Sequence, residues 1–331
     1  MRAVRFNGPG TALELAEIPE PAAGPGECVI DVVACGICHS DLHAVAGDYP
    51  TTLPVTLGHE IVGRHPELGN VLVYAPWGCG RADCFACASG QENVCRNSSE
   101  VGLVVDGGYA ERVRIRDTRY LVPIGDLDPA MAAPLACGGL TAYRAVKHTL
   151  PFLGTPSWSS LANPSGRSRA LVIGAGGLGQ YGLQYLLALT DAEVTVVDSS
   201  PAKREQALAL GAHAAVAPGE VEGIFSAVID FVGAQATLET AAAHAARQGI
   251  IVLVGLFGGQ IPFGLGLVPH ETRLMTSIWG SLDELHELVA LVQQHGIRSE
   301  VEHVGLADIT TAHERLHHGD VRGRFVIDPT R

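Results

Sequence analysis

The sequence predicts an α/β protein with two domains, one built on a doubly wound parallel sheet and one rich in β-structure. Three observations support this prediction. The chain has 331 residues, too many for one small core. Residues 1 to about 139 contain short apolar runs bounded by Gly and Pro, such as "CVIDVVA" and "NVLVYA". From residue 170, apolar strands alternate with helical segments, which is typical of parallel βαβ units.

The first βαβ unit begins with "ALVIG", a continuous apolar run that predicts a buried strand. A helix is expected from Gly177 to about Leu189, and "EVTVVD" (193–198) predicts the next strand. Ser200 is a favourable N-cap for the helix that follows, and Gly211 would end it.

The rest of the chain continues this alternation. We expect a strand at 227–230, an alanine-rich helix at 236–247 and a strand at 249–255. A helix in "SLDELHELVALVQQHG" and a final strand in "GRFVIDP" follow from 281 onward. Residues 154–168 are rich in turn-forming residues without periodicity, which predicts a surface loop. We therefore place the domains at 1–139, completed by 281–331, and at 140–280.

Composition excludes several classes of partner. Hydrophobic residues make up 47% and charged residues 17% of the chain, as in folded globular proteins. The formal net charge of −13 disfavours nucleic acid and anionic membrane surfaces as partners. The first residues, "MRAVRFNGPG", lack the apolar core of a secretion signal, and no stretch is apolar enough for a membrane span. We expect a cytoplasmic protein.

Eight cysteines are clustered along the sequence, and four of them lie between residues 79 and 95. An even number would also fit four disulfides. In a cytoplasmic chain, however, clustered cysteines more often bind metal or take part in chemistry. The clustering favours metal binding.

"GAGGLG", residues 174–179, matches the pattern G-x-G-x-x-G and lies between a predicted strand and a predicted helix. Gly174 permits a tight turn, and Gly176 lets the backbone approach a pyrophosphate at the helix N-terminus. Gly179 allows close packing of the helix on the strand. The intervening Gly177 and Leu178 belong to the same candidate cofactor-binding loop.

Asp198 lies 19 residues after Gly179, at the end of the next predicted strand. A carboxylate there can accept hydrogen bonds from the adenosine ribose and would repel a 2′-phosphate, so NAD is favoured over NADP. Another nucleoside cofactor, such as S-adenosylmethionine, would also fit this segment alone.

The four clustered cysteines have the spacing C-x4-C-x2-C-x7-C. Four thiolates on a short loop can complete a tetrahedral structural zinc site, which leaves no position for substrate. We therefore expect a structural zinc held by Cys79, Cys84, Cys87 and Cys95.

"CGICHSDLH", residues 35–43, combines two cysteines, two histidines, a serine and an aspartate. If Cys38 ligates a metal, "GHE" supplies His59 and "APLACGGLTAY" supplies Cys137. Three protein ligands with one open position make a catalytic zinc site. The alternative is a polar turn in which Ser40 caps a helix that starts at Asp41.

In combination these motifs resemble the zinc-dependent medium-chain alcohol dehydrogenases over nearly the full length of the chain. The resemblance is carried by "CGICHSDLH", "GHE", the four-cysteine lobe, "GAGGLG" with Asp198, and "GRFVIDP". It implies a Rossmann domain with a doubly wound parallel sheet and a β-rich GroES-like catalytic domain. The implied reaction is reversible hydride transfer between a primary or secondary alcohol and NAD, giving an aldehyde or ketone. The implied assembly is a homodimer or homotetramer.

The resemblance also implies a role for each site residue. Cys38, His59 and Cys137 would bind the catalytic zinc, with Glu60 close to the metal and Asp41 orienting His59. Ser40 and His43 would form a relay that passes the proton to solvent. The further contacts with the cofactor would come from His39, Thr141, Lys203 and Val254.

Three departures from the family pattern are visible. The first two lobe cysteines are separated by four residues instead of two, so Cys79 would need a looped-out "RAD" to reach the metal. The segment at 64–73 is short and lacks a family strand, which could leave a sheet edge exposed. The loop at 154–168 is longer than usual.

Two rival functions remain at this stage. One is a zinc-free quinone or enone reductase on the same fold, against which the three candidate ligands argue. The other is a non-catalytic dinucleotide-binding protein with structural zinc.

Overall fold

A computed structural model describes residues 1–154 and 156–331 of the chain. The chain divides into two compact units: unit 1 comprises 1–140 with 279–331, and unit 2 comprises 141–278. The predicted domain boundaries fall one or two residues from these limits. That the units are separate functional domains stays a prediction.

The N-terminal part of unit 1 consists mainly of strands. They are β1 (Arg2–Phe6), β2 (Glu14–Glu17), β3 (Cys28–Gly36), β4 (Val55–Thr56), β5 (Glu60–His65), β6 (Gly69–Val73), β7 (Pro76–Trp77), β8 (Ser99–Glu100), β9 (Arg112–Ile115) and β10 (Leu121–Pro123). The helices are α1 (His39–Ala46), α2 (Phe85–Ala88) and α3 (Pro129–Ala132), with 3-10 turns at Glu92–Val94, Thr118–Tyr120 and Ala133–Ala136.

The remaining elements alternate between helix and strand. They are α4 (Gly138–Thr149), a 3-10 turn at Leu150–Phe152, α5 (Trp158–Leu161), β11 (Arg169–Ile173), α6 (Gly179–Leu189), β12 (Glu193–Val197), α7 (Pro201–Ala209), β13 (Ala214–Val216), β14 (Phe225–Asp230), α8 (Gln235–His244), β15 (Ala245–Leu253), β16 (Arg273–Thr276), α9 (Leu282–His295), β17 (Val301–Val304), a 3-10 turn at Leu306–Asp308, α10 (Ile309–His317) and β18 (Arg324–Ile327). In the described parts of the chain, no helix combines the length and apolar character that crossing a membrane requires.

The main sheet of unit 1 has the strand order β10-β6-β5-β3-β18-β17, and β9 also pairs with β3. All its pairs are antiparallel except β17 with β18. A smaller sheet has the order β2-β1-β4. The sheet buries apolar side chains such as Ile30, Ile61 and Phe325. This core fixes β5, at whose start the candidate zinc ligand His59 lies.

The short segment at 64–73 forms a tight hairpin. Strands β5 and β6 are joined by residues 66–68, with His65 opposite Gly69. Gly69 has φ +71°, a left-handed value that glycine adopts without a steric cost. The far side of β6 pairs with β10, so β6 is covered. The expectation that the shortening exposes an edge here is therefore wrong.

Helix α1 begins two residues earlier than expected. Its N-cap is Cys38, and Asp41 at the third helical position accepts a hydrogen bond from the Cys38 backbone N–H at 2.9 Å. Ser40 therefore lies inside the first turn, so the alternative in which Ser40 is the N-cap is not what the structure shows. The Asp41 carboxylate satisfies this buried N–H group, as in a capping box.

The sheet of unit 2 has the order β13-β12-β11-β14-β15-β16, and all its strands are parallel. The predicted strands at 170, 193, 227 and 249 are all present. The helix predicted at 236–247 ends earlier, at His244. Ala245 pairs with Phe225 as part of β15, so sheet pairing overrides the helical propensity of alanine.

The segment 154–168 is not the plain surface loop that the sequence predicts. Residue 155 lies outside the described residues, but 158–161 form α5, which Ser157 caps. Ser159 is fully buried, and its hydroxyl lies 2.7 Å from that of Ser226 in β14. It also accepts the Arg169 backbone N–H at 2.9 Å. Hydrogen bonds of Ser159 therefore attach this segment to the sheet of unit 2. The local sequence gives no indication of these contacts.

Candidate active site

The structure brings four of the predicted site residues together in unit 1. Donor atoms of Cys38, His59, Glu60 and Cys137 all lie within 4.8 Å of one another, and all four residues are buried. Cys38 caps α1, His59 directly precedes β5, Glu60 is the first residue of β5, and Cys137 separates a 3-10 turn from α4. Segments distant in the sequence therefore meet at one point.

The His59 imidazole is arranged as a metal ligand. Its Nδ1 lies 3.3 Å from Asp41 Oδ1, and both side chains are fully buried. Both ring nitrogens are buried, and neither meets the geometry of a hydrogen bond within the described residues; Nε2 is the one that does not face Asp41. Burial lowers the pKa of His59, but Asp41 and Cys38 outweigh it and raise the pKa well above its usual value. A buried nitrogen without a partner, beside two thiols, fits a bound metal ion that replaces this proton.

The two buried thiols influence each other. A hydrogen bond from Cys137 lowers the pKa of Cys38 well below its usual range, and the same contact raises the pKa of Cys137. One thiolate is therefore favoured even without metal. Thiolate and imidazole are the donors that zinc prefers, so this group fits the predicted zinc.

Glu60 is held by a residue that the sequence analysis did not identify. One guanidinium nitrogen of Arg324, the first residue of β18, contacts both carboxylate oxygens of Glu60 inside the unit. The Gly138 backbone N–H donates to Glu60 Oε1 at 3.2 Å. Burial raises the pKa of Glu60 from 4.5 to about 7, although Arg324 opposes this. The only signal in the sequence was one arginine in an otherwise apolar strand.

Ser40 and His43 lie three residues apart on α1, a spacing that puts them on one side of the helix. The Ser40 hydroxyl is 3.7 Å from Cys38 Sγ. His43 Nδ1 lies 2.8 Å from an Asp48 carboxylate oxygen, and the His43 side chain is 26% exposed. One residue thus adjoins the candidate metal site and the other reaches solvent, as a relay would need.

The second cysteine group also assembles in unit 1. Its four Sγ atoms lie within 4.8 Å of one another, with the pairs Cys79–Cys87 at 3.7 Å and Cys84–Cys95 at 3.8 Å. The residues between the first two cysteines loop outward, where Arg81 and Asp83 form an exposed ion pair at 2.6 Å. The long spacing therefore does not keep Cys79 out of the group.

The glycine loop of unit 2 has the backbone that a dinucleotide requires. Gly174 has φ +89°, and a Cβ on Gly179 would lie 1.7 Å from the Gly174 carbonyl oxygen. A Cβ on Gly176 would meet no protein atom within 4 Å, so this glycine faces open space. Leu178 is the N-cap of α6, and the helix begins at Gly179 instead of Gly177. The loop thus presents an unobstructed helix N-terminus.

Asp198 follows β12 and is fixed by two backbone groups. One carboxylate oxygen accepts the Ala175 N–H and the other the Ser200 N–H, both at 2.8 Å. The carboxylate is thereby tied to the glycine loop. Lys203 lies in the first turn of α7, where its N–H donates to the Ser200 hydroxyl.

Three other predicted cofactor contacts lie in different parts of the fold. Thr141 is buried in α4, Val254 follows β15, and the exposed His39 opens α1. The Val254 N–H donates to the Asp230 carbonyl at 2.9 Å. Their contacts with a cofactor stay predictions.

Trp279 is an aromatic neighbour of the metal group. Its ring lies edge-on to His59, with centroids 5.3 Å apart, and its φ of +52° is rare for a bulky residue. Strained backbone of this kind is concentrated at functional sites. Trp77, by contrast, stacks on Tyr120 in the core.

Comparisons with known proteins agree with this geometry. Residues 24–126 match the alcohol dehydrogenase GroES-like domain, and residues 177–294 match the zinc-binding dehydrogenase domain. The chain is 33% identical to a D-arabinose 1-dehydrogenase (NADP(+)) of Saccharolobus solfataricus, over 98% of this chain and 96% of the relative. It is 31% identical to an NAD-dependent alcohol dehydrogenase of Sulfolobus acidocaldarius, over 100% of both chains.

A solved structure shares the fold over its whole length. The alcohol dehydrogenase of Aeropyrum pernix superimposes with a TM-score of 0.87 at 30% identity, covering 99% of this chain and 100% of that one. The predicted fold class, a GroES-like β-rich domain with a Rossmann domain, is confirmed. Matches of this identity and coverage place the chain, as its motifs indicated, in the family of zinc-dependent medium-chain alcohol dehydrogenases.

Proposed function

We propose that this protein reversibly oxidises primary or secondary alcohols to aldehydes or ketones with NAD, using Ser40 and His43 to move the proton. The activity class, a zinc- and NAD-dependent alcohol dehydrogenase, is the predicted one and agrees with the family. The observation that carries the proposal is the buried group of two thiols and one imidazole, whose Nε2 makes no hydrogen bond to any of the described residues.

In this mechanism Cys38, His59 and Cys137 hold the catalytic zinc. When bound, zinc supplies a Lewis acid for the substrate oxygen, and NAD supplies the hydride acceptor. Asp41 lies beside Nδ1 of the His59 ring, so Nε2 is the nitrogen that would bind zinc. Glu60, neutralised by Arg324, adds little net negative charge near the two thiolates.

The proton would leave through α1. The Ser40 hydroxyl, next to Cys38, can accept the alcohol proton while donating its own. His43 can take up that proton and release it to solvent, because histidine is the side chain that most often transfers protons in enzymes. Asp48 at 2.8 Å holds the ring through Nδ1 and leaves Nε2 for this exchange.

In unit 2, the glycine loop and the N-terminus of α6 would bind the pyrophosphate of NAD. Asp198 favours NAD because its fixed carboxylate would repel a 2′-phosphate. Lys203 would contact the adenosine ribose, and Thr141 and Val254 the nicotinamide side. His39 would lie near the pyrophosphate.

The two rival functions are less well supported. A zinc-free reductase has no need of two buried thiols beside an unpaired imidazole nitrogen. A dinucleotide sensor with only structural zinc would need no second group of donors besides the four cysteines.

The assembly we propose is a homodimer or homotetramer. In the described residues, β16 ends the sheet of unit 2 with one side unpaired. Apolar side chains beyond β15 are exposed, among them Phe257 at 65% and Leu265 at 95%. Light scattering on the purified protein measures the assembly. We also propose a cytoplasmic location, since none of the eight cysteines is in a disulfide.

Metal analysis combined with turnover tests the proposal. The parent protein should hold two zinc ions per chain. It should also oxidise alcohols with NAD when a panel of primary, secondary and sugar alcohols is assayed. Cys38→Ser should hold one zinc and lose at least about 10³-fold in turnover, because a Lewis acid contributes several kcal/mol. Its NAD affinity should be unchanged.

Cys28→Ser is the matched control, because Cys28 lies outside both metal groups. Asp198→Ala should raise the kcat/KM with NADP relative to NAD. Parent-rate turnover by Cys38→Ser would refute the catalytic zinc.

A further inference from the structure

A series of buried polar groups in unit 1 extends from His59 to His313 on α10. His59 Nδ1 lies 3.3 Å from Asp41 Oδ1, and Asp41 Oδ2 lies 2.9 Å from the Tyr109 hydroxyl. The Tyr109 hydroxyl in turn lies 3.2 Å from His313 Nε2. All four side chains are buried, so each contact is made away from water.

The direction of the hydrogen bonds follows from the donors present. An ionised carboxylate only accepts, so the single hydroxyl proton of Tyr109 is donated to Asp41. The Tyr109 oxygen then accepts from His313 Nε2–H, which fixes the tautomer of His313. Burial raises the pKa of Tyr109 and lowers that of His313, so both stay neutral.

Asp41 needs these partners because it serves several groups at once. Its Oδ2 also accepts the Cys38 backbone N–H at 2.9 Å. The carboxylate therefore fixes the backbone of one candidate zinc ligand and the ring of another. Loss of the Tyr109 donor would leave Oδ2 with only the Cys38 amide and free the carboxylate to rotate.

Tyr109 itself is held firmly. A Cβ on Gly58, the residue before His59, would lie 2.3 Å from the Tyr109 ring, so the ring packs directly on that glycine. The Tyr109 N–H donates to the Leu57 carbonyl at 2.9 Å. The hydroxyl is thus placed by rigid neighbours of the ligand that it supports.

We propose that Tyr109 and His313 are positioning residues, which fix the Asp41 carboxylate and through it the His59 ring at the catalytic zinc. Neither residue is one of the four whose donor atoms form the metal group. His313 lies on α10 and Asp41 on α1, so these hydrogen-bonded side chains also connect α10 to the metal site. The inference rests on the proposed function, because it assumes a zinc on His59.

The rate at which zinc is released to a chromophoric chelator tests the inference. The structural zinc on the four cysteines serves as an internal reference in the same molecule, and Cys38→Ser identifies which phase belongs to the catalytic zinc. Tyr109→Phe keeps the ring but removes the hydroxyl. It should release the catalytic zinc about tenfold faster, the lower end of the effect of outer-shell partners. The structural phase should not change.

Two variants of His313 provide a second test of the inference, which remains possible even if Tyr109→Phe fails to fold. His313→Gln keeps an N–H donor near the position of Nε2 and should release zinc at close to the parent rate. His313→Leu cannot donate and should behave like Tyr109→Phe. Tyr120→Phe is the control, since it removes a buried tyrosine hydroxyl that contacts Arg119 instead.

Parent-like release from Tyr109→Phe and His313→Leu would overturn the inference. Equal acceleration of both zinc phases would do so too, because it would show a general loosening of unit 1. Failure of the proposed function looks different: the parent protein would then lack a zinc phase that depends on Cys38.

Discussion

Arg324 contacts both carboxylate oxygens of Glu60 across 264 positions of the chain, and both side chains are buried. If one partner of a buried ion pair is removed, the other charge stays buried without compensation, which strongly destabilises the folded protein. Arg324→Met should therefore lower the free energy of unfolding by about 3–5 kcal/mol. Chemical denaturation of the zinc-loaded protein measures this loss.

Two further variants check that the loss comes from an unpaired charge. Arg81→Met removes the arginine of an exposed pair and should cost at most about 1 kcal/mol. Glu60→Gln combined with Arg324→Met removes both charges of the pair and should recover much of the stability. A double variant no more stable than Arg324→Met would contradict this account.

The four-cysteine group should act on stability more than on chemistry. Cys84→Ser removes one thiolate from a closed site, so we expect one zinc per chain in place of two and a lower Tm. Turnover of the protein that remains folded should stay within about tenfold of the parent. Metal content, calorimetry and activity measured on one sample check this, with Cys28→Ser as control. A turnover loss as large as that of Cys38→Ser would show that this lobe takes part in catalysis.

The segment at 157–168 should open in acid. Hydrogen bonds from Ser165, Asn163 and Arg167 lower the pKa of Glu193 from 4.5 to about 2, despite partial burial. A lowered pKa means that the stabilisation is complete above about pH 4.5 and is lost as the pH falls through about 2. Amide hydrogen exchange of residues 157–168, corrected for intrinsic rates, should speed up by pH 3 relative to pH 7.

Glu193→Gln gives the corresponding control. At pH 7 its segment should already exchange faster than that of the parent, and the difference should narrow below about pH 4.5. If the exchange rates of the parent and Glu193→Gln differ by the same factor at pH 7 and at pH 3, the ionised Glu193 carboxylate does not stabilise the segment.

Trp279 should limit the size of the substrate, because its ring fills space next to His59. Trp279→Ala should raise kcat/KM for a bulky alcohol relative to ethanol by at least about tenfold, as expected when a pocket gains the volume of several carbon atoms. Trp279→Phe, which keeps an aromatic ring, should change this ratio much less. An unaltered ratio in Trp279→Ala would place the substrate elsewhere.

The sequence predicts the parts of the site whose chemistry is local. The segment from Gly174 to Gly179 lies between a strand and a helix. In that context, the spacing of its glycines predicts a tight turn and a backbone that can approach a pyrophosphate. Cys38, His59 and Cys137 could be chosen because thiolates and imidazoles are the donors that zinc prefers and the family resemblance orders them. The alternation of strands and helices in unit 2 follows from continuous apolar runs.

What the sequence does not predict depends on contacts between distant segments. Arg324 reads as an ordinary polar residue until β18 is placed beside β3, next to β5. Tyr109 and His313 become partners only once α10 packs near α1. Ser159 looks like part of a loop because its partner, Ser226, lies on another strand. Ser40 was a plausible cap, but Asp41 satisfies the same N–H group from inside the helix.

The three-residue turn at 66–68 lies at the opposite end of β5 from His59 and Glu60. Because β6 pairs with β10 as well as with β5, residues inserted at the turn need not disturb the register of the hairpin. Leu68 at the tip is exposed, so its surroundings impose little constraint. The tip is thus a convenient attachment point, where a fluorophore or an affinity peptide can be carried without shifting the ligands at the strand's other end.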